Sequence, residues 1–124
     1  MPITVSYFAS LRLALATAQG RCGRDDFDRY CAALREAGAG SFGKLFDMSD
    51  ARLELSASDV AAVVRQLEPV TGSSAGPTAF VVGDENARAL AKALTEAGGS
   101  SGKTFEDKSE ARRWLDKKLA EARR

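Results

Sequence analysis

The chain has no histidine among its 124 residues. The commonest general base and metal ligand is therefore missing, and neither a Ser-His-Asp nor a Cys-His arrangement can exist. Two cysteines, Cys22 and Cys31, are too few for a disulfide framework and too far apart for a C-x-x-C redox pair. No apolar run approaches the roughly 20 residues of a membrane span. Met1-Pro2-Ile3-Thr4-Val5 lacks a charged segment followed by an apolar one, so no secretory signal is expected and a reduced, cytoplasmic location follows. An excess of either charge is also missing, since 18 Lys and Arg against 17 Asp and Glu leave a net +1. Nucleic-acid and membrane-surface binding need a basic excess, so neither partner is expected.

What remains is the composition of an ordinary globular domain, 44% apolar and 28% charged. The length predicts one domain over 1–124, large enough to bury a core. Abundant Ala, Gly and Arg are the habit of high-GC bacterial genomes.

Ile3, Val5 and Tyr7 alternate with polar residues, and Leu11, Leu13 and Leu15 do so again after a turn near Ala9-Ser10. A two-residue period in two close runs predicts a hairpin, ended by Gly20 and Gly23. Asp25 or Asp26 is then placed to cap a helix whose buried stripe is Phe27, Tyr30, Cys31 and Leu34. Cys31 reads as a small core residue. Cys22, in a Gly-flanked loop, is expected to be exposed and oxidisable. Gly38 and Gly40 close this helix.

Lys44-Leu45-Phe46-Asp47-Met48 is a short strand, and Ser56 or Ser58 opens a helix bearing Val60, Val63, Val64 and Leu67, which Pro69 should stop. A flexible connector, Gly72 to Pro77, leads to Thr78-Ala79-Phe80-Val81-Val82, an unbroken apolar run suited to a central strand. Asp84 caps a third helix with Ala87, Leu90, Ala91 and Leu94 inward, closed by Gly98 and Gly99. A last strand at Thr104-Phe105 meets Asp107, whose carboxylate caps the final helix while Glu110 reaches back. Ala111, Trp114, Leu115 and Leu119 share one face of that helix, so the only tryptophan should be buried. The order is β-β-α-β-α-β-α-β-α: an α/β fold whose mixed sheet joins an N-terminal hairpin to parallel strands with crossover helices.

The closing phrase "F-x-D-x-x-E-A-x-x-W-L", Phe105 to Leu115, resembles the closing motif of SpoIIAA-like proteins, the soluble single-domain branch of the STAS fold group. The resemblance implies a STAS-like fold over essentially the whole chain, best from Leu45 onward. It implies a non-enzymatic, protein-binding or regulatory role, with the partner met around the second helix and its preceding loop. In STAS regulators a strand reading roughly hydrophobic-Asp-Leu-Ser precedes a helix start whose serine is phosphorylated by a partner kinase. Asp47 matches the strand-end aspartate, and Ser56, with Ser58 nearby, takes the place of that serine. Leu55 stands where an acidic neighbour belongs, and Asp59 near a small or apolar position. Serine at a helix start is also a common N-cap, which is the chief role read for both serines.

Three other features are weighed against ordinary roles. Ala97-Gly98-Gly99-Ser100-Ser101-Gly102-Lys103-Thr104 matches a relaxed phosphate-loop pattern. A working phosphate loop joins strand to helix, whereas here a helix should precede and a strand follow, presenting carbonyls to the loop. Asp25, Asp26 and Asp28 cluster where they complement a helix dipole. The cations of the last helix, including Arg112, Arg113, Lys117 and Lys118, are relieved by Glu110, Asp116 and Glu121 and suit a solvated face. No catalytic residue, metal ligand or cofactor is assigned. The enzyme alternative uses Asp47 and Asp84, both at the carboxyl ends of parallel strands where α/β sheets place ligands. A deep pocket joining those acids would favour it, an apolar patch by the second helix would favour protein binding, and that patch buried in a symmetric homodimer would favour self-association.

Overall fold

A computed structural model describes residues 2–71, 76–98 and 102–122, side chains at 67–71 and 97–98 excepted. The strands are β1 (Ile3–Phe8), β2 (Leu13–Gly23), β3 (Gly43–Glu54), β4 (Thr78–Val82) and β5 (Gly102–Phe105). The helices are α1 (Arg24–Glu36), α2 (Ala57–Thr71), α3 (Glu85–Gly98) and α4 (Lys108–Ala122). The element order is the expected one, with a single 3-10 turn, Ala9–Leu11, in the hairpin.

The sheet order is β1-β2-β3-β4-β5, with β1 antiparallel to β2 and the rest parallel. Each parallel strand is added on the same side of its predecessor. Crossovers of one hand must then put all their helices on one face. Accordingly α1 packs on α2 and α2 on α3, over a core that includes Phe27, Cys31, Leu34, Phe46, Val63, Phe80 and Leu90. Only α4, after the last strand, crosses to the other face, where Ala111, Leu115 and Leu119 meet Leu13, Leu45, Ala79 and Val81. Its approach is close, since a Cβ on Gly43 would lie 2.7 Å from Leu119 Cδ2.

Several boundaries differ from the sequence reading. Gly20 does not end β2; at φ +71 it lies within the strand, which runs on to Gly23. β3 likewise continues past Met48 to Glu54, because its pairing with β2 resumes after a register shift. Thr17 pairs with Asp47 but Gln19 with Asp50, so β3 spends one extra residue there, the count of a β-bulge. The extra residue reverses the phase. Phe46 and Met48 face the three-helix core before it, and Ala51 and Leu53 do so after it. Pro69 lies inside α2 rather than at its end; so near the terminus it removes one backbone donor without a full turn left to break.

Neither Asp25 nor Asp26 is the N-cap of α1. Gly23 holds that position, and Asp26 Oδ2 accepts the Gly23 N–H at 2.9 Å. The stripes on α1 and α3 fall as expected, as do Val60 and Val63 on α2. Leu67, most of the connector (72–75), Gly99 and the centre of the Ala97–Thr104 loop lie outside the described residues or side chains.

Trp114 is half-buried, not the innermost residue of α4. It leans on Phe105 with ring centroids 5.8 Å apart, and Lys118 Nζ lies 5.9 Å from its ring. The reason is the width of the sheet. α4 sits over β3 and β4, so position 114 projects above the four-residue edge strand β5, and Leu115 takes the centre. Asp107 does cap α4, accepting the Ser109 N–H at 2.8 Å. Glu110 makes no return bond among the described residues, so half of the expected box is absent.

Candidate functional site

Asp47 lies inside β3, not at its end as the sequence reading placed it, because the strand runs on to Glu54. Ser56 follows β3 and Asp84 follows β4, and each of the three already has a local bond. Asp47 is buried on β3, where Oδ1 accepts the backbone N–H of Ser49 at 3.0 Å and its hydroxyl at 2.6 Å. The bulge falls at Met48-Ser49, so Asp47 takes a donor next to the disrupted ladder. Its Oδ2 lies 3.6 Å from Lys108 Nζ, at the exposed start of α4. The turn after β4 presses on the same bulge, since a Cβ on Gly83 would lie 2.3 Å from the Ser49 carbonyl oxygen. Only glycine allows that approach without movement.

Asp84 is exposed and is the N-cap of α3, accepting the Ala87 N–H at 2.9 Å. Neither of the two described crevices is lined by Asp47 or Asp84. Among the described residues no group of three His, Cys, Asp or Glu side chains could hold a metal.

Ser56, rather than Ser58, is the N-cap of α2. Its hydroxyl accepts the Asp59 N–H at 3.1 Å, and Asp59 Oδ2 accepts the Ser56 N–H at 3.0 Å. This is a complete reciprocal capping box with Asp at the third helical position. Asp59, a departure from the regulator pattern, is thus the cap's second half. Its carboxyl is held below the usual range by the Ser56 backbone N–H first, with the Ser56 hydroxyl and Arg24 adding to the effect. Ser58 hydroxyl lies 3.0 Å from that of Ser56, and both serines are exposed.

Beside this cap, the starts of α2 and α3 leave a crevice of about 240 Å³. Leu53, Leu55, Val60 and Leu90 give it apolar walls, with Ser56 and Asn86 also lining it. Its existence depends on the bulge, which turns Leu53 to the helical face. Sequence reasoning stopped the strand before that point, although Ala51, Leu53 and Leu55 alternate with Arg52 and Glu54 in the pattern of a strand.

Two further findings were not foreseen. Cys22 is fully buried, facing the three-helix core from β2, with Sγ 3.9 Å from the Gln19 carbonyl. It is not a loop thiol; burial first, and Asp26 second, raise its pKa and keep it protonated. Lys44, at the opposite end of β3, is only 3% exposed. Its Nζ donates to the carbonyls of Gly40 at 2.7 Å and Phe42 at 3.0 Å, and burial pulls its pKa down to about 8. No pattern marks a buried lysine in advance, because its partners are backbone atoms of a loop.

The loop before β5 keeps the expected polarity: α3 runs into it and a strand leaves it. Lys103 Nζ lies over the Phe105 ring, 5.4 Å from its centroid.

Sheet order, helix placement and element order together define a SpoIIAA-like, STAS-type α/β fold. The chain is similar to the structure of an uncharacterized protein of the DUF3478 family with a SpoIIAA-like fold from Shewanella loihica PV-4. The TM-score is 0.65 at 22% identity, over 91% of this chain and 93% of that one. It is also similar to the anti-sigma factor antagonist SpoIIAA in its unphosphorylated form. There the TM-score is 0.61 at 14% identity, over 91% of this chain and 96% of that one. No protein-family model and no curated protein sequence matches the chain. No described helix is long and apolar enough to cross a membrane.

Proposed function

We propose that this chain is a single-domain, cytoplasmic, non-enzymatic regulatory module that binds a protein partner at the carboxyl end of its sheet. The observation that carries this reading is the crevice between the starts of α2 and α3, where apolar side chains and exposed Ser56 and Asn86 share the lining. Apolar walls beside a helix N-terminus suit an apolar anchor residue of a partner flanked by an acidic or hydrogen-bonding group. The likeness in fold to an anti-sigma factor antagonist supports a protein as that partner. The enzyme reading has less support because Asp47 is bonded within a bulge and Asp84 caps a helix.

Ser56 is the proposed regulatory phosphosite, with Ser58 as the adjacent alternative. A phosphoryl group on Ser56 would add roughly −2 of charge. It would stand beside Asp59, already bonded to the Ser56 N–H, so the reciprocal cap could not stay closed. The first turn of α2 would then move, and with it one wall of the crevice.

The test is to reconstitute the chain with the protein that co-purifies from its native host and to map phosphosites on the native material. Ala57→Arg and Ser56→Glu should each weaken the purified complex at least about tenfold. Lys117→Glu, exposed on α4, should leave it unchanged. A complex indifferent to the first two changes would overturn the reading, as would a homodimer that buries the crevice.

A further inference from the structure

β1 is one edge of the sheet, with no described strand beyond it. The register shows which of its backbone groups face outward. The Pro2 carbonyl accepts the Gln19 N–H at 2.8 Å, and pairing then runs unbroken from Ile3↔Ala18 to Phe8↔Leu13. Hydrogen-bonded pairs alternate along an antiparallel ladder. Thr4, Ser6 and Phe8 therefore bond to β2, while Ile3, Val5 and Tyr7 turn their N–H and C=O groups to the open edge. Pro2 belongs to the inward set, so its missing N–H takes nothing from that edge.

The protections usual for an edge strand are absent from β1. It has no charged side chain, no proline within it and no bulge in its register with β2. The opposite edge, β5, has only four residues, and exposed Lys103 is one of them. β1 also ends in two large side chains left in solvent, Tyr7 at 37% and Phe8 at 42% exposure. α4 sits over β3 and β4 and leaves Thr4, Ser6 and Phe8 exposed on its face of the sheet. On the other face a crevice of about 230 Å³ runs between β1 and α1, with Ile3, Val5 and Tyr7 along the strand side.

We propose that β1 pairs antiparallel with β1 of a second copy, about a two-fold axis through Val5, so that the two sheets become one. This register pairs Ile3 with the partner's Tyr7 and Val5 with the partner's Val5. It engages every outward N–H and C=O of the strand, whereas a slip of two residues leaves one pair unmade. The strand is complementary to itself end for end. Tyr7 lands beside the partner's Ile3 at the mouth of the crevice, and Phe8 beside the partner's Pro2 on the other face. An uncharged strand also sets no like charges against its own copy, and the isologous contact closes at two chains. Each copy brings fewer residues than the ~20–30 of a standard interface, so the Kd is expected on the order of 100 µM. β1 lines no part of the α2–α3 crevice, so the dimer leaves that site open.

Amide hydrogen exchange of the full chain, read by NMR at 50 µM and 1 mM, tests the register directly. The Ile3, Val5 and Tyr7 amides should exchange about threefold more slowly at the higher concentration, as the monomer fraction falls. Those of Thr4 and Ser6, already bonded to β2, should be slow at both. Sedimentation equilibrium over the same range should report a monomer–dimer equilibrium. Thr4→Lys/Ser6→Lys sets like charges opposite each other across the two-fold and should weaken the dimer about tenfold. Both side chains are exposed, so the fold should stand. Thr4→Lys/Ser6→Glu sets opposite charges at the same pairs and should restore the dimer. A chain still monomeric at 1 mM, with exchange unchanged, would overturn the proposal. A dimer indifferent to Thr4→Lys/Ser6→Lys, or one that Thr4→Lys/Ser6→Glu fails to restore, would overturn it equally.

Discussion

At the amino end of the sheet, a loop wraps its own charge. Lys44 is buried against the carbonyls of Gly40 and Phe42, and Arg12 donates to Ser41 while its guanidinium lies 5.5 Å from the centre of the Phe42 ring. Arg12 itself sits at φ 51, a conformation few non-glycine residues adopt. Three residues further along the same strand, the carboxyl end is arranged differently. Asp47 bonds within a bulge, Ser56 and Asp59 bond to each other, and Asp84 caps its own helix. The hydrogen bonds there span two or three residues, whereas at the amino end Arg12 reaches Ser41 across 29, so no loop folds across the carboxyl end to make them. The amino end is closed by its polar bonds, while the carboxyl end satisfies its own and leaves a crevice accessible. A surface of that second kind can bind a partner without first breaking structure.

Glycines at the two ends of β4 give the sharpest test of this contrast. A Cβ on Gly76 would lie 2.4 Å from the Phe42 carbonyl oxygen, and one on Gly83 would lie 2.3 Å from that of Ser49. The clashes are alike, but Gly76 is buried and Gly83 is exposed. If the amino end is the stiff one, Gly76→Ala should cost about 3 kcal/mol and Gly83→Ala about 1 kcal/mol, by urea unfolding. Equal costs would mean that the two ends yield alike.

Lys44 sharpens the comparison through pH. Its folded pKa, about 8, lies below that of a free lysine, because burial disfavours the charged form. Below pH 8 both folded and unfolded chains carry the proton, and the full penalty is present. Between about 8 and 10.5 the unfolded chain holds more protons, so stability from this group rises with pH. Cys31, raised to about 11 by burial, acts in the opposite sense over an overlapping range. The two separate by comparison with Lys44→Met, which retains Cys31. Wild type should gain up to about 3 kcal/mol on that variant between pH 8 and 10.5. A constant difference would mean that Lys44 is well solvated.

Away from these ends, Trp114→Ala should cost about 2 kcal/mol, less than the 3–5 typical of a fully buried aromatic, because one side of the indole meets water. Blue-shifted emission that iodide still partly quenches would agree with half-burial. Ser56→Ala should cost about 1 kcal/mol as the loss of an N-cap, with Ser56→Asp close to wild type in stability. Ser58→Ala should cost less, since only Ser56 accepts a helix N–H.

The helices were the legible part of the sequence, because each needs only a 3.6-residue stripe, and Phe27-Tyr30-Cys31-Leu34 carries its own period. The order of strands and helices followed from the same local signals, but the placement of three helices on one face was not read, because it needs the order of strands in the sheet. The bulge was not legible, since an extra residue appears only when two strands are paired. The lengths of β2 and β3, the burial of Cys22 and the wall of the α2–α3 crevice all depend on that pairing. Trp114 was misplaced for a related reason: helical periodicity says which residues share a face, but not how wide a sheet lies beneath it. For the candidate site, Ser56 and Asp84 could be placed at helix starts by pattern alone, whereas Asp47, read as a strand end, lies inside β3. Their actual hydrogen-bond partners, which decide what each is free to do, required the fold.

The smallest effect expected is none at all, and it concerns the amino end again. The stretch Ala97 to Thr104 spells a relaxed phosphate loop, yet α3 enters it and β5 leaves it. The helix therefore turns its carbonyl end toward the loop, where partial negative charge repels phosphate. A phosphate-binding loop instead needs the amino end of a following helix, which supplies converging N–H donors. Lys103, the residue that would reach a phosphate, lies over the ring of Phe105. ATP with Mg²⁺ at millimolar concentration should consequently leave the melting temperature where it was. The measurement is decisive because a ligand at 100 times its Kd adds about 2.7 kcal/mol of apparent stability, which raises Tm by several degrees in a domain of this size. An upshift that Lys103→Ala removes would place a nucleotide at the end of the sheet described here as closed, and the contrast between the two ends would have to be abandoned.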